Sequence, residues 1–329
     1  MTDTFDTPEP APLIKQGRYV LPHPTTGKER SWTRVTTFAK TLTDEYGLNL
    51  WKERMVVKGI SLRPDLSSVA SSLDVKADWK KLNQIAQQAK ETAGASAAAN
   101  LGTAIHSFTE SVDQGGSLDS VPEAHRADVA AYLSALDESG IVVQPGMVER
   151  ITCVPEFGVA GTMDRIYLLS DGRLVIGDVK TGRDLSYNWT EICVQLALYQ
   201  IGVSKHGVFD LRSGTWSGPM DGVDDRIGII THVPVGSSKC TLYEVDLDAG
   251  RRFAELALAV RAARSEKNLA VPFDPTPARN WEFEFSTVVT KTAALALYRE
   301  AKGRPEHRPG SARSAGGDRS GSVDGSRLI

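Results

Sequence analysis

The stretch GTMDRIYLLSDGRLVIGDVKTG, from Gly161 to Gly182, limits the fold more tightly than any other part of the chain. Two apolar runs flank a Ser-Asp-Gly turn, the pattern of a β-hairpin. An acid stands at the far end of each run, Asp164 and Asp178, and Lys180 follows two residues after the second. Register decides whether the acids meet. A two-residue Asp-Gly loop pairs Asp164 with Val179 and sends the two acids to opposite faces. A three-residue loop, Ser170-Asp171-Gly172, puts its glycine in the left-handed position of a bulge. That loop pairs Leu168 with Leu174, Ile166 with Ile176, and Asp164 with Asp178. The apolar match favours the second register. Opposed residues then lie about 4.5–5.5 Å apart at Cβ, and Lys180 shares the acids' face because side chains alternate along a strand.

Two carboxylates at that distance repel each other when both are ionised, so without a cation at least one keeps its proton above the usual range. Magnesium or manganese, with a preference for hard oxygen ligands, relieves the repulsion. Such an ion activates water and stabilises charge on a phosphoryl oxygen. A neighbouring ammonium adds positive charge where a phosphate becomes more negative. Acid, acid and lysine in this arrangement suit phosphodiester hydrolysis. An isolated Asp-x-Lys is also common on exposed sheet edges, so the weight falls on the pairing and on the helices around it.

Two helices supply further polar groups. In GTAIHSFTE, Gly102, His106 and Glu110 are spaced four apart and stack on one helical face, with Ala104, Ile105 and Phe108 on the core side. In EICVQLALYQ, Glu191, Gln195 and Tyr199 repeat that spacing. This second helix begins just after the Asp178-x-Lys180 strand and its Thr181-Gly182 turn, so it packs back across the sheet. Gln195 and Tyr199 then come within reach of a phosphate or of Lys180.

Elsewhere, residues 17–36 read as a hairpin, and Thr43 to Ile60 as a helix with Leu48, Trp51 and Met55 on its apolar face. Trp79 to Asp113 is helical, broken at Gly94 and Gly102 into two helices or one kinked helix. Another helix spans 123–138 and stops at Gly140. Strands follow at 147–155, 161–169 and 173–180, then a helix from Asn188 to Val203. Strands near 226–232 and 240–246 precede a helix from Ala249 to Lys267, and the segment 272–300 ends in a helix from near Ser286.

The order Gly102-x3-His106, Gly161-x2-Asp164, Asp178-x-Lys180-Thr181 and Gln195-x3-Tyr199 resembles the RecB-like branch of the PD-(D/E)XK nucleases, the CRISPR-associated and phage exonuclease type. The similarity runs loosely from Val35 to Arg264. It implies an α/β fold with a mixed central β-sheet flanked by helices, a restriction-endonuclease-like core. It also implies that His106, Asp164 and Asp178 ligate the metal, that Lys180 is the catalytic lysine, and that Gln195 and Tyr199 form the accessory motif. Glu110 and Glu149 stand outside this set as weaker candidates. The first acid follows Met163 rather than proline, and the second acid is Asp rather than Glu; the branch accommodates both. The expected organisation is a disordered arm at 1–16, an N-terminal hairpin and helical region at 17–145 that includes the His106 helix, a nuclease core at 146–300, and a disordered basic Gly/Ser/Arg tail at 301–329.

Composition sets the remaining expectations. Three cysteines are too few for a four-cysteine iron–sulfur cluster and fit a reduced, cytoplasmic compartment. No phosphate-binding Gly-x4-Gly-Lys-Ser/Thr loop is present, so no nucleotide cofactor is expected. No apolar run long enough for a membrane span occurs, and the acidic, Pro-containing N-terminus is unlike a signal peptide. Arg34, Lys40, Lys52, Arg54, Lys58, Lys76, Lys80, Lys81 and Lys90, interleaved with Trp32, Trp51 and Trp79, offer backbone contacts to DNA. Trp189 is a candidate substrate wedge. The leading expectation is a magnesium- or manganese-dependent DNA exonuclease acting in recombination, replication or repair, with a possible recombination partner protein. The alternatives are a nuclease fold kept as a catalytically inactive nucleic-acid-binding module, and a metal hydrolase acting on a small phosphoester. The sequence carries no signal for an oligomeric state.

Overall fold

The hairpin adopts the three-residue loop. In this computed structural model, which describes residues 11–270 and 272, Gly172 takes a left-handed conformation (φ 86°) and its N–H bonds the carbonyl of Leu169 at 2.9 Å. The elements in chain order are β1 (Ile14–Lys15), β2 (Arg18–Pro22), β3 (Glu29–Arg34), α1 (Val35–Ala39) with a 3-10 turn at Lys40–Leu42, α2 (Tyr46–Leu62), α3 (Pro64–Ala70), α4 (Trp79–Thr92), α5 (Ala97–Asp113), α6 (Glu123–Glu138), β4 (Val142–Val154), β5 (Val159–Leu168), β6 (Leu174–Lys180), α7 (Trp189–His206), β7 (Phe209–Asp210), β8 (Thr215–Trp216), β9 (Val223–His232), β10 (Thr241–Asp246) and α8 (Leu247–Ser265). The fold is α/β: an open, mixed central sheet with helices on both faces.

β5 is the centre of the sheet. One edge pairs antiparallel with β4. The other edge is shared by two strands. β3 runs parallel to its start, at Val159 and Ala160, and β6 runs antiparallel to its end, from Arg165↔Gly177 to Leu168↔Leu174. Between them, Gly161 to Asp164 have no ladder partner on that edge. β6 turns away beyond Gly177 and continues in parallel with β9 up to Lys180↔His232. The connection from β6 to β9 passes through α7, as a parallel pair requires a crossover.

Strand alternation assigns the two faces. Ile166 and Ile176 belong to the core under α7, with Val35, Phe38, Leu196 and Tyr199. Tyr167, Val175 and Val179 point the other way, into the core formed with Ile105 of α5 and Tyr132 of α6. A third, smaller helical cluster joins α2, α3 and α4 through Val56, Ile60, Leu66, Ile85 and Ala89.

Several sequence-based expectations shift. The long helical region is two helices, parted at Gly94 (φ 83°), whereas Gly102 lies inside α5. On α2 the packing face is Val56, Gly59 and Ile60 rather than the Leu48–Trp51–Met55 stripe. Gly59 lacks a side chain and lets the backbone of Ala89 approach, and Leu48 and Trp51 stay 46% and 38% exposed. Ile14 and Lys15, within the segment expected to be a disordered arm, pair with Tyr19 and Arg18 across a turn whose residues, Gln16 and Gly17, both have positive φ. β7 and β8 are two-residue strands too short to leave a periodic signal. Trp32 is fully buried and bonds the Leu21 carbonyl, so it is a core anchor. Trp189 packs against Tyr243 at 5.2 Å and is partly buried against the core. The expected helix near Ser286 and the basic tail lie outside the described residues. No helix among the described residues is long and apolar enough to cross a membrane.

Candidate active site

The site lies where β5 and β6 part. Asp164 is the last residue of β5 before the ladder with β6 begins, and its Oδ2 accepts the Val179 N–H at 2.9 Å. A side chain thus takes the place of a main-chain ladder partner, which holds the fork open at a fixed width. Asp178 is 1% exposed, on the α7 side. Its Oδ1 accepts from Gln195 Nε2 at 2.8 Å. Its Oδ2 lies 2.6 Å from Lys180 Nζ but off the axis of a hydrogen bond, and no other group satisfies it. Lys180 Nζ donates instead to Gln195 Oε1 at 3.2 Å. Gln195 therefore bridges the acid and the amine, with its nitrogen toward the carboxylate and its oxygen toward the ammonium.

Tyr199, one turn further along α7, is buried against Gly161. A Cβ at Gly161 would stand 3.0 Å from the tyrosine ring, so the glycine of the Gly161-x2-Asp164 spacing makes room for Tyr199. Burial, then Asp178 and Asp164, raise the Tyr199 hydroxyl well above its ordinary value, so it stays a neutral phenol.

His106 reaches the fork from the opposite layer, and its Nδ1 lies 3.5 Å from Asp164 Oδ2. Glu110 follows one turn later on α5. Glu149 of β4 stands opposite Asp164 in the β4–β5 register, between Val148↔Arg165 and Arg150↔Met163. Its backbone is left-handed (φ 52°), unusual for a residue with a side chain. Conformations of that kind cost about 1–3 kcal/mol and gather at functional sites. Glu149 and Glu110 share a carboxyl–carboxyl hydrogen bond.

Electrostatics follow from this crowding. Burial, then repulsion from Asp164 and Glu110, pushes the Glu149 carboxyl up to about 9. Burial also raises Glu110. Burial, then Asp164, raises Asp178 to about 6. Burial works against the charge on Lys180, but Asp178 and Asp164 outweigh it and hold the amine above the ordinary lysine range.

One supporting network escapes the sequence motifs. Arg165 is fully buried; its Nε bonds Asp113 at 2.6 Å and its Nη2 bonds Thr109 at 3.0 Å. Tyr132 also donates to Asp113, at 2.9 Å. These bonds lock α5 and α6 to β5 beside Asp164, and so fix where His106 and Glu110 emerge. The signal available in the sequence was a charged residue in an otherwise apolar strand, Arg165, with Thr109 and Asp113 one turn apart on the His106 helix.

All six residues expected at the site, His106, Asp164, Asp178, Lys180, Gln195 and Tyr199, surround this fork. Glu110 and Glu149 join them. Among the described residues no three His, Cys, Asp or Glu side chains form a finished metal cage; Lys180 stands against Asp178 in its place. The donor set nonetheless fits a hard divalent ion. It combines carboxylate oxygens with one imidazole, it includes a buried Asp178 oxygen whose neighbour is the Lys180 ammonium, and burial, then the neighbouring acids, raises Asp178 and Glu149. No family model matches the chain, and no curated protein matches it.

Proposed function

We propose that this chain is a magnesium- or manganese-dependent DNA exonuclease that hydrolyses phosphodiester bonds in recombination, replication or repair, with DNA as its partner and a recombination protein as a possible second one. The observation that carries this reading is the convergence of Asp164, Asp178 and Lys180 at one fork, with His106 beside them. His106, Asp164 and Asp178 would hold the ion, which supplies Lewis acidity toward the phosphate and lowers the pKa of water.

The chain's own groups have separable tasks. Lys180 keeps its proton and presents positive charge where a phosphate gains negative charge in the transition state. Gln195 sets the direction of that amine while orienting Asp178. Tyr199 fills the space under Gly161 and keeps water from the underside of the pair. The Arg165–Asp113 bridge holds the α5 layer in register, so that His106 faces Asp164.

The test is release of nucleotides from end-labelled linear DNA, with covalently closed circular DNA as comparison. Cleavage of the linear form that requires magnesium or manganese and is lost in Asp178→Asn supports the reading. Turnover that persists in EDTA, or in Asp178→Asn, would sink it.

A further inference from the structure

α6 carries a buried acid that the fork does not use. Asp128 is 2% exposed, on a helix that also buries Val129, Tyr132 and Leu136. A carboxylate in such a place costs stability unless its oxygens are bonded. Both are, and both bonds lead away from the helix. Oδ2 accepts the Gly236 N–H at 2.7 Å, and Oδ1 accepts the Ser238 N–H at 2.8 Å. Gly236 and Ser238 belong to the turn between β9 and β10, and both have left-handed backbones, at φ 74° and 52°. Ser238 has a side chain, so that conformation is unfavourable on its own. The carboxylate sits in the hollow that their N–H groups form and holds the turn in shape.

The other end of this turn grips the lysine strand. The β6–β9 ladder ends at Lys180↔His232. From there the carbonyls of Lys180, Thr181 and Gly182 are bonded in succession. Val233 N–H reaches the first at 2.8 Å, Val235 N–H the second at 3.3 Å, and the His232 ring donates to the third through Nε2 at 2.6 Å. Residues 232–235 thus fix three consecutive residues starting at Lys180, and they run straight into the turn that Asp128 holds. The amine has little slack. Its bond to Gln195 Oε1 is 3.2 Å, at the long end of the range, so a small retreat of the main chain breaks it.

The same helix has a second tie one turn on. Tyr132 donates to Asp113, which holds Arg165 beside Asp164. Asp128 and Tyr132 are four residues apart and share a helical face. α6 therefore anchors the acid strand through β5 and the lysine strand through the turn after β9.

We propose that Asp128 is a positioning residue for Lys180: acting through the turn between β9 and β10, it fixes the main chain from which the amine projects. The proposal rests on the nuclease reading above and deepens it with a residue that acts only through others.

The test uses end-labelled linear DNA in magnesium, at a temperature well below melting. Asp128→Ala removes both acceptors and is expected to lower kcat by about 10–10²-fold, with KM changed by less than about twofold. Asp128→Asn keeps one carbonyl oxygen where two oxygens stood, so it recovers part of that loss. Leu136→Ala, on the same helix, lowers the melting temperature by leaving a cavity and keeps kcat unchanged. The link is also read without turnover, by NMR hydrogen exchange at the Val233 and Val235 amides. Relative to the β5 amides, both lose protection by about tenfold in Asp128→Ala and neither does in Leu136→Ala. If Asp128→Ala fails to fold, Asp128→Asn carries the same two comparisons. Unchanged relative protection at both amides, or a kcat that falls no further than in Leu136→Ala, overturns the proposal and leaves the nuclease reading standing. An unmodified protein that does not hydrolyse DNA removes both.

Discussion

The two sides of the fork handle charge in opposite ways. On the α7 side Asp178 is matched by Lys180, and Gln195 ties the two together. On the α5 side Glu110, Glu149 and Asp164 crowd around one imidazole, and the Arg165 guanidinium is shared, bonding Asp113 through Nε with its Nη1 3.9 Å from Asp164. The first half is neutralised from within and is fixed by packing. The second relieves its crowding by raising the Glu110 and Glu149 carboxyls, on a backbone held in an unfavourable conformation at Glu149.

Breaking the self-neutralised half should have the largest effect. Lys180→Met removes a charge aimed at the reacting phosphate and is expected to lower kcat by about 10²–10³ with little change in KM, in a labelled-DNA assay. It also leaves Asp178 buried beside nothing cationic, which lowers the melting temperature. The pair Lys180→Met with Asp178→Leu removes both charges and should recover much of that stability while staying inactive. A double variant as unstable as the single one would mean that the pair is not the local electrostatic unit described here.

Gln195→Leu tests whether the bridge matters beyond its two ends. Hydrogen bonds to charged groups contribute about 1.5–3 kcal/mol each, so misaligning the amine and the acid should lower kcat about tenfold or more. Gln195→Glu would place a second acid beside Lys180 and Asp178. It is expected to be worse than leucine for metal-free stability, because it transfers the acid excess to the half that lacks one.

The α7 half was largely legible in the sequence. Alternation in β6, with a glycine able to take φ 86° at the loop, puts Asp178 on the α7 face with Ile176, and the helix period brings Gln195 over it; the expected Asp164–Asp178 pair is not part of the ladder, which stops at Arg165↔Gly177, and Asp164 accepts the Val179 N–H instead. The α5 half was only partly legible. His106 and Glu110 share a helix face, but Glu149 meets Asp164 through a register shift in β4 between Val143 and Val148 that no local pattern announces. The Arg165–Asp113 bridge joins residues 52 apart and depends on tertiary packing alone. The apolar stripe of α2 misled because a single glycine, Gly59, decides where α4 docks.

The acid-rich half makes its own prediction about pH. Glu149 and Asp178 have folded-state values raised to about 9 and about 6, so the fold holds protons that the unfolded chain has released. Stability is then highest at low pH and falls as pH rises from the unfolded carboxyl range through those values. Metal-free protein should lose melting temperature steadily between about pH 6 and pH 9. Glu149→Gln keeps a donor toward Glu110 without titrating, and it should flatten the upper part of that fall. Each kcal/mol recovered corresponds to roughly 2–4 °C in a protein of this size class. Magnesium should flatten the same part of the curve in the unmodified protein. A magnesium response that survives unchanged in Glu149→Gln would place the ion away from this half.

The smallest expected effect separates site geometry from stability. Gly102 lies inside α5, and a Cβ there would stand 2.6 Å from Thr181 Oγ1, the residue after Lys180. Replacing an interior helical glycine with alanine gains up to about 1 kcal/mol of helix propensity. Displacing Thr181 costs a similar amount at the low end of overpacking, about 1 kcal/mol, since a hydroxyl at the tip of a side chain can rotate away. Gly102→Ala should therefore melt within a few degrees of the unmodified protein. The turn it pushes on nevertheless carries the Lys180 carbonyl bond to Val233 and one wall of a cavity of about 730 Å³ beside His106. Activity should fall severalfold, through KM more than kcat, because that cavity narrows while the acids and the amine stay in place. A fall confined to kcat would instead show that the turn acts on the lysine, and that the two halves of the fork are coupled through α5.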